Sequence, residues 1–442
     1  VSQLIISFVN IFLFGFSVSV YLRKAVPAFP GFLRGFVSAI STLVILSFLY
    51  FLILVLNQGF TFLLILLSVI NIIFLYWTYT GLKKIFNYKY YAKNYNEAII
   101  PLLAILVMTL VFVFHGSKYG DYDSWAIWNV HAKFLFYPQV WTRISGDGLV
   151  TSHADYPLML PCLVAFFWKT INNETFIIPL LLSFSILLAI TLLLYYALLD
   201  EFKSNLFAYF GLFILVADYN FQLLDSAQCA DTLISLFILL AFVLNNRLKN
   251  NPSTHIAYIL GFICADCTWI KNEGDLFYLV FTAVFIVSNY KHVSNIFKYL
   301  IGSIVPLFVT IYYKIIFAPT NDLVSASNHQ TQRLLHDLKD VNRYSVIFKF
   351  FEKTLLQNFL PAIVLILVLL IFNRSFFKSF AFIVFFILIS GFTVIYLITP
   401  YNLEWHLATS LSRILYQIYP SFLYTSIIAY AGYQNGRLNF QL

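Results

Sequence analysis

FVSAISTLVILSFLYFLILVL, residues 36–56, carries no charged side chain in 21 positions. At about 1.5 Å of rise per residue, a helix of that length reaches roughly 30 Å, the thickness of a bilayer hydrocarbon core. Similar apolar runs flank it on both sides. They fall near 4–21, 60–78, 98–114, 157–171, 175–198, 205–217, 230–246, 255–270, 276–289, 298–316, 358–372, 379–399 and 417–433, which makes fourteen with the first. The runs are continuous and do not alternate polar with apolar, which argues against a β-barrel. Composition agrees. Of 442 residues 61% are hydrophobic and 10% charged, against about 25% charged in an average soluble domain. Such a chain cannot hide its apolar surface in soluble cores, and it is neither disordered nor a disulfide scaffold. The expected fold is all-α, a polytopic transmembrane helical bundle.

Basic residues set the expected orientation. The 27 Lys and Arg outnumber the 19 Asp and Glu, for a net charge of +8. In a membrane protein this excess marks cytoplasmic loops and gives no sign of a nucleic-acid partner. The clusters are Arg23/Lys24/Arg34, Lys83/Lys84/Lys89/Lys93, Arg247/Lys249, Lys291/Lys298 and Arg374/Lys378. Placing all five inside starts the chain outside and ends it inside, which needs an odd number of crossings. About 13 spans are therefore expected. The segment 157–171, short and carrying Pro157 and Pro161, is the one expected not to cross, with 205–217 next. Three polar stretches then face outward: 115–156, 317–357 and 400–416. The cytoplasmic connections are short and carry no nucleotide-binding glycine motif in a strand–turn–helix setting. The four cysteines sit in or beside apolar runs and are expected to be small apolar fillers. The Cys264–Cys267 spacing lacks the partners of a zinc site.

The stretch at 115–161, HGSKYGDYDSWAIWNVHAKFLFYPQVWTRISGDGLVTSHADYPLMLP, is dense in acids for a chain with so few. Asp121 and Asp123 follow a membrane run directly. Trp125, Trp128, Ala132, Leu135 and Phe136 then recur at helical spacing, which predicts an interfacial amphipathic helix with its tryptophans at headgroup depth. His153-Ala154-Asp155-Tyr156-Pro157 turns the chain back into the membrane. The two acidic clusters bracket one loop and are expected to converge at the surface.

An apolar helix, an Asp-x-Asp pair, an interfacial helix and a second acidic turn ending in proline resemble the GT-C superfamily of polytopic glycosyltransferases, which use lipid-phosphate-linked sugars. YDSWAIWNVHAKFLF and SHADYPLMLP look like the first outer loop of its bacterial members. The likeness extends more weakly to Lys271-Asn272-Glu273-Gly274 and to Trp405-His406 through Arg413. It covers about 97–420. The three runs before residue 97 depart from the usual start of the family, where the acidic loop follows the first span. The implied organisation is a three-span accessory segment (1–96), a GT-C-like catalytic module (97–316), and a loop with C-terminal spans (317–442).

The resemblance implies transfer of a sugar from a polyprenyl-phosphate donor to a hydroxyl acceptor on a glycan, lipid or protein. The anomeric carbon develops oxocarbenium character. The phosphate leaves readily, so the main need is a carboxylate that takes the acceptor's proton. Asp123 is the first choice, with Asp121 and Asp155 as base or sugar ligands. The reaction is expected to invert configuration. No cofactor is required and no metal site is assigned, although an Asp-x-Asp pair suits a divalent cation. The leaving phosphate needs cations. Candidates are Lys271, Arg413, Lys118, Lys133 and Arg333, with Lys271 and Arg413 beside spans. Glu273 is either the salt partner of Lys271 or a second sugar ligand. Asp266 is a candidate partner for Lys271, and at most one of Asp218, Asp225 and Asp231 is expected to reach the cavity. His153, Tyr156, His406 and Trp405 complete the substrate-binding set. The implied location is the bacterial cytoplasmic (inner) membrane, with the site facing outward among membrane lipids. One rival is a polysaccharide polymerase or ligase using a lipid-diphosphate donor, for which outer Arg residues are sparse. Another is a flippase or transporter, whose ionisable groups more often lie mid-membrane in broken helices.

Overall fold

The computed structural model describes residues 2–85, 99–146, 153–203, 205–320 and 330–434. Lys89, Lys93, Asp147 and His329 lie outside them. Among the described residues every regular element is helical, and each of the fourteen apolar runs lies within a helix to within two residues at its ends. The first half contains α1 (Ser2–Ala25), α2 (Gly31–Val55), α3 (Phe60–Ile85), α4 (Ile99–His115), α5 (Asn129–Phe136), α6 (Met159–Ile171), α7 (Ile177–Phe202), α8 (Asn205–Ala217) and α9 (Tyr219–Ser226). The second contains α10 (Ala230–Asn250), α11 (Thr254–Ile270), α12 (Glu273–Ser288), α13 (Val293–Ile316), α14 (Gln330–Lys339), α15 (Val341–Asn358), α16 (Leu360–Phe372), α17 (Phe380–Ile398) and α18 (Leu403–Gln434).

Seven of these helices are long and apolar enough to cross a membrane, or up to nine if each of two bent pairs is one span. The pairs are α8–α9, bent by 63°, and α15–α16, bent by 96°. The architecture is that of a helical multi-pass membrane protein. Helix α6 has 13 residues, or about 20 Å of rise, which falls short of a hydrocarbon core.

Helix α10 is the buried centre of the bundle, with 89% of its apolar window inside the protein. It packs against α7, α11 and α18. Helices α11 and α13 approach most closely, because Gly261 and Gly302 face each other's helix. A Cβ at either would collide with the carbonyl of Tyr299 or Tyr258. In lipid, where water does not drive helices together, such backbone proximity is a main source of association. The N-terminal segment is tied in through α2, whose Phe51 ring lies 5.2 Å from that of Trp269. The Trp269 indole N–H also donates to Ser47 Oγ at 3.2 Å.

Three polar stretches fold differently from the sequence expectation. In 317–357, the described residues from Gln330 onward are mostly helix, in α14 and α15. From 400–416, all but the first few residues form the opening turns of α18, a 32-residue helix. The predicted interfacial helix exists, as a single π-turn (Ser124–Trp128) running into α5. Only part of it faces outward. Trp125 is 61% exposed, but Trp128 is 1% exposed, and Ala132 and Leu135 are fully buried. That face packs on α6, and the Tyr50 hydroxyl of α2 donates to the Leu135 carbonyl at 3.0 Å. Trp128 is therefore a core aromatic and not a headgroup anchor.

Candidate functional site: a buried charge cluster at one end of the bundle

The loop between α4 and the π-turn, the start of α10, the α11–α12 turn and the first half of α18 meet at one end of the bundle. They bring five charged side chains into a chain of contacts. Asp231, in the first turn of α10, is fully buried. Its Oδ2 accepts from Arg413 Nη2 at 2.8 Å and Nε at 3.2 Å. Its Oδ1 accepts from Lys271 Nζ at 2.8 Å and Gln417 Nε2 at 2.7 Å. Arg413 reaches outward with Nη1 to Asp123 Oδ2 at 2.5 Å. Lys271 reaches the other way to Glu273 Oε1 at 2.8 Å. The second Glu273 oxygen is buried with no hydrogen-bond partner among the described residues.

Local structure explains this convergence. Arg413 and Gln417 are one helical turn apart and so share a face of α18. Gly274 permits the tight α11–α12 turn, since a Cβ there would run into the Cys267 carbonyl. That turn carries Lys271 and Glu273 on either side of Asn272. Burial alone works against the Lys271 charge, but the Asp231 and Glu273 carboxylates outweigh it and hold the ammonium above its usual range.

Asp155 joins from the second loop. It is 4% exposed, and its Oδ2 accepts from Asn272 Nδ2 at 2.6 Å. Lys314, near the end of α13, donates to the Asp155 backbone carbonyl at 2.9 Å and also to Asn272 Oδ1. Tyr156 lies between aromatic neighbours, 5.6 Å from the Trp128 ring and 5.1 Å from His153, stacked on both. Lys271 Nζ sits 6.0 Å from its ring centre. His153 holds a left-handed backbone (φ 47°), a costly conformation for a residue with a Cβ and one often found at functional turns.

Not every sequence candidate reaches the cluster. Asp121 is exposed, and none of the described residues hydrogen-bonds its carboxylate. Lys133 points elsewhere, to Glu174 at 3.3 Å. Lys118 lies over the Tyr119 and Phe176 rings. Trp405 is 57% exposed, against Tyr401. His406 accepts or donates at Thr399 Oγ1 (2.9 Å) and meets the Tyr396 ring edge-on at 5.0 Å. Burial pulls its proton affinity below the usual value, with Glu273 and His153 near enough to act on it electrostatically. Asp266 does not pair with Lys271. It is fully buried in α11, and its carboxylate has no hydrogen-bond partner among the described residues. Asp231 is the acid of its trio that arrives, while Asp218 caps α9 and accepts from the Tyr416 hydroxyl at 3.0 Å. Lys314 and Gln417 were not anticipated, and Asn272 entered only as part of the Lys271–Gly274 motif. The spacing of Gln417 from Arg413 was the one available signal.

The four cysteines are buried thiols. Among the described residues no group of three or more His, Cys, Asp or Glu side chains is arranged to hold a metal. No protein-family model, curated protein or solved structure matches this chain. The chemistry has to be argued from the cluster itself. Three carboxylates (Asp123, Asp231, Glu273) face two cations (Arg413, Lys271). The surplus is one negative charge, and Asp155 with Lys314 leaves it unchanged.

Proposed function

We propose that this chain is an integral membrane glycosyltransferase of GT-C type. In this reading its shorter apolar helices also count as crossings, giving about thirteen spans. It takes sugar from a polyprenyl-phosphate donor and passes it to a hydroxyl acceptor on the outer face of a bacterial cytoplasmic membrane. The observation that carries this is the linkage of Asp123 to Arg413 and, through buried Asp231, to Lys271. One proton-accepting carboxylate stands beside two cations at the mouth of the bundle. Asp123 is the outermost acid of the cluster and is partly exposed, so an acceptor hydroxyl can approach it. Arg413 and Lys271, fixed from behind by Asp231, are the cations for the departing phosphate. An incoming phosphate competes with Asp123 for Arg413. Binding of the donor thereby loosens the ion pair and leaves Asp123 able to take the proton. Glu273 and Asp155 flank this path as ligands for sugar hydroxyls. Tyr156, stacked between Trp128 and His153, backs the His153 ring, whose other face can meet a sugar.

The test is transfer from polyprenyl-phosphate sugars by purified protein, wild type against Asp123→Asn. The expected loss is about 100-fold or more, the scale of general-base catalysis. Undiminished transfer in the variant removes Asp123 from that role.

Two observations favour a transporter. Asp266 is a fully buried, unpartnered acid within a helix, and α8–α9 is a sharply broken span. Both are features of proton- or ion-coupled carriers. Movement of lipid-linked sugar across vesicle membranes without any transfer selects that reading.

A further inference from the structure

The opposite end of the bundle holds a hollow of about 60 Å³ between α10, α17, α18 and the 3₁₀ turn Arg374–Lys378. That is room for roughly four or five water-sized groups. Its walls are Phe242, Phe376 and Phe380, and its polar lining includes Asn245, Lys249 and Ser379. No carboxylate lines it among the described residues.

Neighbouring polar groups on α10 are already committed. Asn246 donates to Glu201 Oε2 at 3.0 Å and to the Tyr424 hydroxyl at 3.3 Å. Arg247 is paired with Asp200. Asn245 and Lys249 are different. Asn245 is only 5% exposed, yet its amide has no hydrogen-bond partner among the described residues. That amide opens onto the hollow, where it can bond whatever occupies the space. Lys249 stands 5.5 Å over the Phe380 ring with no carboxylate partner among the described residues. Ser379 accepts from Phe382 N at 3.3 Å and keeps its hydroxyl hydrogen to donate. An ammonium, an amide and a hydroxyl thus face one small space, offering donors and a positive charge.

We infer that this hollow binds the headgroup phosphate of an anionic phospholipid. Its position selects a lipid as the source. It lies where α10 ends and α17 begins, both helices long enough to cross the membrane. Exposed apolar side chains continue from it on both sides, Ile371 and Phe372 at the end of α16 and Phe386 and Ile387 along α17, a surface for acyl chains. This end also carries exposed Lys291, Lys298, Arg374 and Lys378, and basic pockets between membrane helices are established sites for anionic headgroups.

The test uses the full chain purified in detergent and titrated with phosphatidylglycerol or phosphatidylcholine, with bound lipid counted by native mass spectrometry. Phosphatidylglycerol should bind roughly five- to tenfold more tightly, the scale of one lysine at a lipid surface. Lys249→Gln should abolish most of that preference, and Lys249→Arg should keep it. Asn245→Leu should weaken phosphatidylglycerol binding with no change in charge. Lys291→Gln removes the same charge from the same end outside the hollow, and should leave binding unchanged. Lys249 is exposed, so its variants should unfold at the wild-type temperature. Equal affinity for the two lipids overturns the proposal, as does equal weakening by Lys249→Gln and Lys291→Gln. Binding of inorganic phosphate that Lys249→Gln abolishes, without any selective lipid binding, overturns the lipid assignment.

Discussion

At one end of the bundle Asp231 is fully buried and grips Lys271 and Arg413, which are themselves shielded. At the other end Lys24, Lys249, Lys291, Lys298, Arg374 and Lys378 are exposed. Lys203 there pairs with Asp200 at the surface, while Asp200 also holds the largely shielded Arg247. Both ends are charged, but the energetics differ. Withdrawing an ion from water costs several kcal/mol, which only close partners offset. An exposed pair gains about 0–1 kcal/mol and is screened by salt. The fold therefore must build the first end and merely tolerates the second. Charge held at such cost marks a candidate functional site and is more than an orientation signal.

The sharpest way to break this comparison is Asp231→Ala. It leaves Lys271 and Arg413 facing each other without the carboxylate that joins them. Removing one partner from a buried ionic network costs about 3–5 kcal/mol, so thermal unfolding in detergent should shift down strongly. A shift no larger than that of an exposed variant would mean that water already reaches Asp231, and the contrast between the ends would collapse. Trp128→Ala comes next. Truncating a buried tryptophan costs about 3–5 kcal/mol, whereas Trp125→Ala, in the same π-turn and largely exposed, should stay within about 0.5 kcal/mol. Comparable losses at the two tryptophans would return Trp128 to the headgroup layer.

His406 gives a smaller effect, with a sign set by burial. Its folded-state proton affinity lies below the ordinary value of 6.5. As pH falls below that value, the unfolded chain takes the proton before the folded one does. Stability contributed at neutral pH is then lost on acidification. Wild type should lose melting temperature between pH 7 and 5 more steeply than His406→Gln. Identical slopes would show that His406 is solvated.

Helix positions were legible in the sequence because a bilayer demands long uncharged runs, and such runs tolerate few alternatives. The convergence of the Asp123 and Asp155 loops toward Lys271 and Arg413 was legible too, since costly charges beside spans need partners. Two things were not. Trp128 and Trp125 carry the same chemistry, and only packing against α6 and α2 distinguishes them. Asp266 and Asp231 are both acids near Lys271 in sequence or topology. The choice between them depends on how α10 and α11 rotate against each other, which periodicity does not encode. The polar stretch before Arg413 looked like a loop because its composition suits one. It is helical because α18 continues through it, with Arg413 and Gln417 both anchored on Asp231.

The smallest expected effect contrasts Lys203 with Lys271. Lys203 pairs with Asp200 three residues earlier, and its side chain is 75% exposed. Asp200 keeps Arg247 when Lys203 is lost. Lys203 also ends α7 in a left-handed conformation (φ 52°), where a glycine has no Cβ to strain. Lys203→Gly therefore deletes an ion pair of about 0–1 kcal/mol and relieves backbone strain of about 1–2 kcal/mol. The melting temperature should hold or rise slightly. Lys271→Met removes the same ammonium where two carboxylates depend on it, and should lower stability severalfold more than any change at Lys203. If Lys203→Gly proved the more damaging of the two, surface charge would be holding this bundle together and the buried cluster would have lost its special standing.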